Sequence, residues 1–286
     1  MFIRVKSHSI NFLSKVIFLP EHLLTFVHIS DTHIHADPTY TGSHVDFSSR
    51  QPVQRLIDTI NNLEMEIDFV MHTGDITHFP ETPEHYHIAR DILSQIKYPV
   101  YYVPGNHDNV AMFQKEFVGL SDSDIKAHYD YQLDCNGVQI VMLDSHAPVD
   151  KPGNHDGHLA EEQLTYLDEI CSADDDRPLV IGIHHHALPT EAPWLDGIVL
   201  KNGLELHQIL LKAKSRLRGI FYGHIHESVV TVRDGISYYS VHSGWHQTRT
   251  WYAAENPARE YIHNPGFNLV TLTATDTFVR SRRISL

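Results

Sequence analysis

Residues 23–33 read "LLTFVHISDTH". The first seven form an apolar run rich in β-branched and aromatic residues, too short for a typical helix and suited to a buried strand. The last four turn abruptly polar, with a carboxylate and an imidazole two positions apart. The same form recurs along the chain. Apolar runs at "IDFVMH" (67–72), "PVYYV" (99–103), "PLVIGI" (178–183) and "RGIFYG" (218–223) each end in polar, donor-bearing residues, and "VQIVML" (138–143) adds a further strand-length run. Between the runs lie stripes of helical spacing: Val53, Leu56, Ile57, Ile60 and Leu63; Tyr86, Ala89, Leu93 and Ile96; Ala160, Leu164, Leu167 and Cys171; Leu206, Ile209, Leu210, Ala213 and Leu217. Strands alternating with amphipathic helices predict an α/β architecture in which helices cover a largely parallel or mixed sheet. After residue 224 the pattern becomes strand-turn-strand, with Asp234-Gly235 as a hairpin signal, so the C-terminal segment is expected to be β-rich.

Composition bounds the function. The 286 residues are 42% hydrophobic, enough for a substantial core. Lys and Arg total 22 against 36 Asp and Glu, a formal charge of -14. That balance lacks the basic footprint used to bind long nucleic acid or anionic membrane. Two cysteines, Cys135 and Cys171, form neither a disulfide framework nor a thiolate metal site, which predicts a reducing, cytoplasmic compartment. Residues 1–22 contain the apolar stretch "INFLSKVIFL", but Lys15 interrupts it and Pro20-Glu21-His22 replaces a cleavage site. They are read as an N-terminal extension, too short in apolar length to span a bilayer, ahead of one domain over 23–286.

In open α/β sheets, ligands collect beyond the carboxyl ends of strands. The residues found there are Ser30-Asp31-Thr32-His33, Thr73-Gly74-Asp75, Gly105-Asn106-His107-Asp108, His184-His185-His186 and Gly223-His224-Ile225-His226. Carboxylates, imidazoles and one amide without cysteine make a mixed N/O set suited to Mn, Fe, Zn or Co. Asp31, His33, Asp75, Asn106, His184, His224 and His226 are seven groups, more than one four-coordinate ion uses but right for two ions if one carboxylate bridges. Each fragment alone is ordinary: Asp-Thr also caps helices, Gly-Asp also makes turns, and the chain holds 24 histidines. Their joint occurrence at successive strand ends is what points to a dinuclear centre.

In order, D-x-H, G-D, G-N-H-D, a single His and G-H-x-H resemble the signature of the calcineurin-like metallophosphoesterases. The stretches "LDSHAPVDKPGNHDGHLAEEQLTYL" and "NPGFNLVTLTATDTFVRSRRI" are similar to the class III cyclic-nucleotide phosphodiesterase branch. The resemblance implies a metallophosphoesterase β-sandwich flanked by helices on both sides (αββα). It assigns Asp31, His33, Asp75 and His226 to one metal and Asp75, Asn106, His184 and His224 to the other, Asp75 bridging. It further implies a phosphodiesterase that cleaves a small phosphodiester such as 3′,5′-cyclic AMP by attack of a metal-bridging hydroxide. His107 is expected to be the catalytic acid, with Asn106 and His107 contacting substrate and His185 either contacting substrate or supporting a metal ligand from behind; Asp108 is expected to orient its loop, and His186 to face solvent.

Other functions are weighed against this one. A Ser/Thr protein phosphatase of this family would carry G-D-x-x-D-R-G, whereas this chain has "GDITHFP". A glycerophosphodiester or nucleotide-lipid hydrolase would share the same metal core. A non-catalytic scaffold would not require all seven donors. Around Ser243-Gly244-Trp245 the sequence departs from the proline- and serine-containing turn expected of the branch. The adjoining aromatics Trp245, Trp251 and Tyr252 are compatible with stacking on a base, covering the site, core packing or a homodimer contact. The string "PGNHD" occurs twice, at 104–108 and 152–156. Only the first directly follows a strand, so the second is expected to contribute no ligand.

Overall fold

In a computed structural model of the chain, residues 21–42, 45–146, 155–253, 255–256, 258–260 and 264–285 are described. The expected N-terminal extension lies outside them except for Glu21 and His22. The first half runs β1 (His22–Ile29), α1 (Arg50–Asn61), β2 (Phe69–His72), α2 (Pro83–Leu93) and β3 (Val100–Tyr102). A short α3 (Val110–Met112) continues into a π-helical turn over Phe113–Val118. Next come β4 (Tyr131–Cys135), β5 (Val138–Leu143), α4 (Glu161–Ser172), β6 (Leu179–Ile183), α5 (Pro193–Asp196), α6 (Gly203–Leu210) and β7 (Leu217–Tyr222). The remainder is β: β8 (Val230–Arg233), β9 (Ile236–Ser240), β10 (Gln247–Arg249), β11 (Ala258–Glu260), β12 (Gly266–Thr273) and β13 (Thr277–Arg283).

Two mixed sheets result, in the orders β13-β12-β1-β2-β3 and β4-β5-β6-β7-β9-β8, with β10 and β11 as a separate ribbon. The two-residue period of a strand explains the layering. In β1, Leu24 and Phe26 join a core shared with β5, β6 and β7, while Val27 and Ile29 face α1 and α2. In β5, Val138, Ile140 and Met142 enter that shared core, and Val141 and Leu143 pack with α4 and α6. Strands clothed on both faces read as continuous apolar runs, which is why they stood out in the sequence. Phe26 stacks on Phe69 within its sheet at 4.9 Å and meets Phe221 of the other sheet edge-on at 5.1 Å.

Helices α1, α2, α4 and α6 bury the predicted stripes, including Val53, Leu56, Ile57 and Ile60 of α1. Three stripes run past their helices: Leu63 lies beyond α1, Ile96 beyond α2, and α6 stops at Leu210, with Leu217 opening β7. Strand β4 carried no apolar run because its residues alternate between half-buried and exposed at the sheet edge. Among the described residues, no helix is long and apolar enough to cross a membrane.

Candidate metal centre

The parallel strands β1, β2 and β3 end side by side, as do β6 and β7, and their carboxyl ends open toward the same place. Backbone pairing continues past the strands: Asp31 N–H donates to Gly74 O at 3.0 Å, His33 N–H to Asp75 O at 3.0 Å, and Gly223 N–H to His184 O at 3.1 Å. The loops are therefore fixed relative to one another before any side chain is considered.

Asp31, His33, Asp75, His224 and His226 all have positive φ, between 42° and 68°. They are five of the nine non-glycine residues in that region of backbone space among the described residues, so strain is concentrated at these strand ends. The twist aims their side chains inward. His33 Nε2 lies 3.1 Å from His226 Nε2 and 3.6 Å from Asp75 Oδ2; His226 Nε2 lies 3.3 Å from Asp31 Oδ1. On the other side of Asp75, Oδ1 lies 3.4 Å from His184 Nε2, which is 3.0 Å from Asn106 Oδ1. Each Asp75 oxygen thus faces a different histidine.

The far nitrogens of three rings are tied to backbone carbonyls, which can only accept. His184 Nδ1–H donates to Thr73 O at 2.7 Å, His226 Nδ1–H to His246 O at 2.9 Å, and His224 Nε2–H to Ile198 O at 3.0 Å. In the neutral ring this places the lone pair on the opposite nitrogen, the arrangement by which ligating histidines are oriented. Burial drives His33 and His224 well below the ordinary imidazole range, keeping them in the neutral form that binds metal. Burial also opposes charge on His184 and Asp75. There it is outweighed: the facing Asp75 carboxylate lifts His184 to about 9, and His184 followed by His107 holds Asp75 well below the carboxylate range.

Among the described residues, three groups of donors lie close enough to hold an ion: Asp31, His33, Asp75 and His226; His184, His185 and His224; and His33, His78 and His107. Gly105 shows how tightly the second loop is packed, since a Cβ there would stand 2.2 Å from Asp75 Oδ1. The Asp108 carboxylate holds that loop, accepting the N–H groups of Gly105, Ile76 and Thr77 at 2.9–3.0 Å and the Thr77 hydroxyl at 3.1 Å.

The sequence profile of the calcineurin-like phosphoesterases matches residues 24–228, well over half of the chain and all five blocks that supply these donors. The chain belongs to the calcineurin-like phosphoesterase family. It is similar to the glycerophosphodiester phosphodiesterase GpdQ of Enterobacter lignolyticus, 28% identical over 211 residues that cover 73% of either chain. It is also similar to the 3′,5′-cyclic adenosine monophosphate phosphodiesterase CpdA of Escherichia coli, 29% identical over 202 residues covering 70% of this chain and 69% of that one. Its fold superposes on a dimetal phosphatase from Danio rerio with a TM-score of 0.63 at 14% identity, over 91% of this chain and 99% of the other.

In this phosphoesterase the donors open into a cavity of about 390 Å³. Its walls include Asp75, Asn106, His107 and four further histidines of the strand-end cluster and its surroundings, His33, His78, His224 and His226. His155, Trp194, Ile198, His246 and Thr248 complete it. No Lys or Arg is among these lining residues. His78, His155, His246, Trp194, Ile198 and Thr248 escaped sequence reasoning; for His155 the signal was present in the second "PGNHD". That copy supplies no ligand among the described residues, yet it reaches the site: Asn106 Nδ2–H donates to His155 Nδ1 at 2.8 Å. Asn154 itself lies outside the described residues.

Two further expectations change. His186 is buried, not solvent-facing, because the chain after β6 turns inward under Tyr222 and His224. His185 is fully buried and does not line the cavity; its Nδ1 lies 2.7 Å from Ser145 Oγ, and its ring packs 4.5 Å from that of His224. Trp245 is core: its Nε1–H donates to Phe47 O at 3.0 Å while its ring packs against His33 and His78. Ser243, in the segment that departs from the branch, braces the first loop by donating from Oγ to Asp31 O at 2.8 Å.

Replacing Asp108 with Ala would strand several buried donors and is expected to destabilise the chain by about 3 kcal/mol or more. Urea denaturation of the metal-free protein checks this; a loss below about 1 kcal/mol would show that the carboxylate does not hold the two loops together.

Proposed function

We propose that this phosphoesterase is a metal-dependent phosphodiesterase with a dinuclear centre, acting on a small diester of the 3′,5′-cyclic nucleotide class. The observation that carries the reading is that two donor groups meet at one carboxylate, Asp75, at the floor of a cavity large enough for a nucleotide-sized ligand. Asp31, His33, Asp75 and His226 would hold one ion and Asp75, Asn106, His184 and His224 the other. Divalent or mixed-valence Mn, Fe, Zn or Co suits these N/O donors. Bound there, two cations supply Lewis-acid stabilisation of phosphoryl charge and activation of water.

The chain's own residues supply the rest. His107 donates its backbone N–H to Asp75 Oδ1 at 2.8 Å and its Nδ1–H to His78 O at 3.0 Å. The second bond fixes the ring, so that in the imidazolium form Nε2–H is left to donate its proton to the leaving alkoxide, which returns the ring to the neutral Nδ1–H form. Asn106 and His107 line the cavity where the phosphoryl group would sit. Trp194 and Ile198 form an apolar wall suited to a base more than to glycerol. Among the described residues no Lys or Arg lines the cavity, a lining that suits a singly charged diester better than a dianionic monoester. A glycerophosphodiester is the second reading, supported by the GpdQ relative.

A cytoplasmic location fits two cysteines that remain free thiols, Cys171 buried and Cys135 half-buried. The exposed Trp251 and Tyr252 are the aromatics a homodimer contact would cover.

His107→Ala is expected to lose about 10²- to 10⁴-fold in turnover while keeping its metal content; near wild-type turnover by a fully loaded variant would remove His107 from proton transfer. In a panel with defined metals, cyclic nucleotides and aryl diesters should outrun aryl monoesters. Preference for monoesters would overturn the reading, and preference for glycerophosphodiesters over cyclic nucleotides would select the second one.

A further inference from the structure

The second "PGNHD" sends a residue into the site although its loop carries none of the seven donors. His155 touches a candidate ligand and the candidate catalytic acid at once. Its Nδ1 lies 2.8 Å from Asn106 Nδ2, and its ring stacks on His107 with centroids 5.4 Å apart and planes 23° from parallel. The ring of His78 also stacks on His107, at 5.2 Å and 20°. His107 thus contacts two imidazoles contributed by different loops.

The contact with Asn106 has a directional consequence. An amide can present either its oxygen or its nitrogen toward a metal, and only the oxygen can ligate. His155 Nδ1, acting as acceptor, binds the Asn106 Nδ2–H and thereby turns Asn106 Oδ1 toward His184 Nε2, 3.0 Å away. Accepting at Nδ1 puts the His155 proton on Nε2 in the neutral ring.

The position of His155 is enforced by its neighbours. Asp156 pairs with Lys201 at 3.0 Å, Gly157 bridges to both His146 and Leu200, and Lys201 N–H donates to Gly157 O at 2.9 Å. Gly157 also lies against the site itself, since a Cβ there would come within 2.5 Å of His185 Cγ. The segment is thus fastened to the wall of the metal centre immediately after the histidine.

We infer that His155 is a positioning residue for the second metal site: by accepting a hydrogen bond from Asn106 it fixes the amide so that its oxygen faces the ion held with Asp75, His184 and His224. This rests on the dinuclear reading above. Residues that orient a ligand in this way change metal affinity by about 10- to 100-fold when removed. The first ion, with Asp31, His33 and His226, makes no use of Asn106 and should be unaffected.

The test is a calorimetric titration of the full-length, chelator-stripped protein with Mn²⁺, comparing wild type, His155→Ala and His155→Asn. Asn keeps an acceptor oxygen near the place of Nδ1. The expected result is two binding events in the wild type, one of them weakened about 10- to 100-fold in His155→Ala and restored to within about threefold in His155→Asn, the other unchanged throughout. Unaltered binding in His155→Ala would overturn the inference, as would equal weakening in both variants, which would point to ring stacking instead of the hydrogen bond. A wild type that binds a single ion or none would refute the dinuclear reading itself, a failure separate from either of these. Thermal melts of the metal-free variants establish that the fold is retained, and a variant that melts with the wild type yet loses both ions would also contradict a role confined to one site.

Discussion

The structure turns on a carboxylate buried where it should not be charged. Asp75 sits at the end of β2, almost wholly removed from solvent, between His33 on one side and His184 on the other. Burial of an unpaired carboxylate would cost several kcal/mol. Here one oxygen faces each histidine, and the His107 N–H supplies a further hydrogen bond. Satisfying Asp75 therefore requires the ends of β1, β2, β3 and β6 to meet, which two sheets packed face to face make feasible. The positive-φ backbone at Asp31, His33, Asp75, His224 and His226 is the strain accepted to bring those donors together, and the inter-sheet core around Phe26, Phe69 and Phe221 is what holds the strand ends rigid enough to sustain it.

Around this core of fixed donors lies a second ring of residues that settle orientation. The carbonyls of Thr73, Ile198 and His246 choose the ring nitrogen that faces inward, Asp108 binds the second loop to the third, and Ser243 braces the first. Most of these contacts join segments far apart in the chain. Relatives named for cyclic AMP and for glycerophosphodiesters share similar levels of identity with this chain, so overall identity does not separate the two; Trp194, Ile198 and Thr248 line the cavity together with the imidazoles.

The architecture was legible where physics writes locally. Strands buried on both faces leave unbroken apolar runs, and helices covering them leave stripes of three- and four-residue spacing; hence β1, β5 and β6 and α1 and α2 could be read directly. The donors were legible for a related reason: Asp31, Asp75, Asn106, His184 and His224 all follow such a run, and a polar cluster at a strand end has few packing uses. What stayed hidden depends on contacts with no local imprint. Edge strand β4 is only half covered and so lacks an apolar signature. His186 looked exposed beside two other histidines, yet the turn after β6 buries it. His155 was set aside because its loop lies several residues from a strand, whereas what brings it to Asn106 is the anchoring of Asp156 and Gly157 to the segment around Leu200 and Lys201.

That Asp75 is shared by two ions is the claim on which the rest stands, and metal stoichiometry of the Asp75→Ala protein tests it most directly. Elemental analysis of wild type should give two ions per chain, and the variant, still folded, should retain substantially less than one. An Asp75→Ala protein that kept one ion with wild-type affinity would show that the carboxylate belongs to a single site, and would contradict the account.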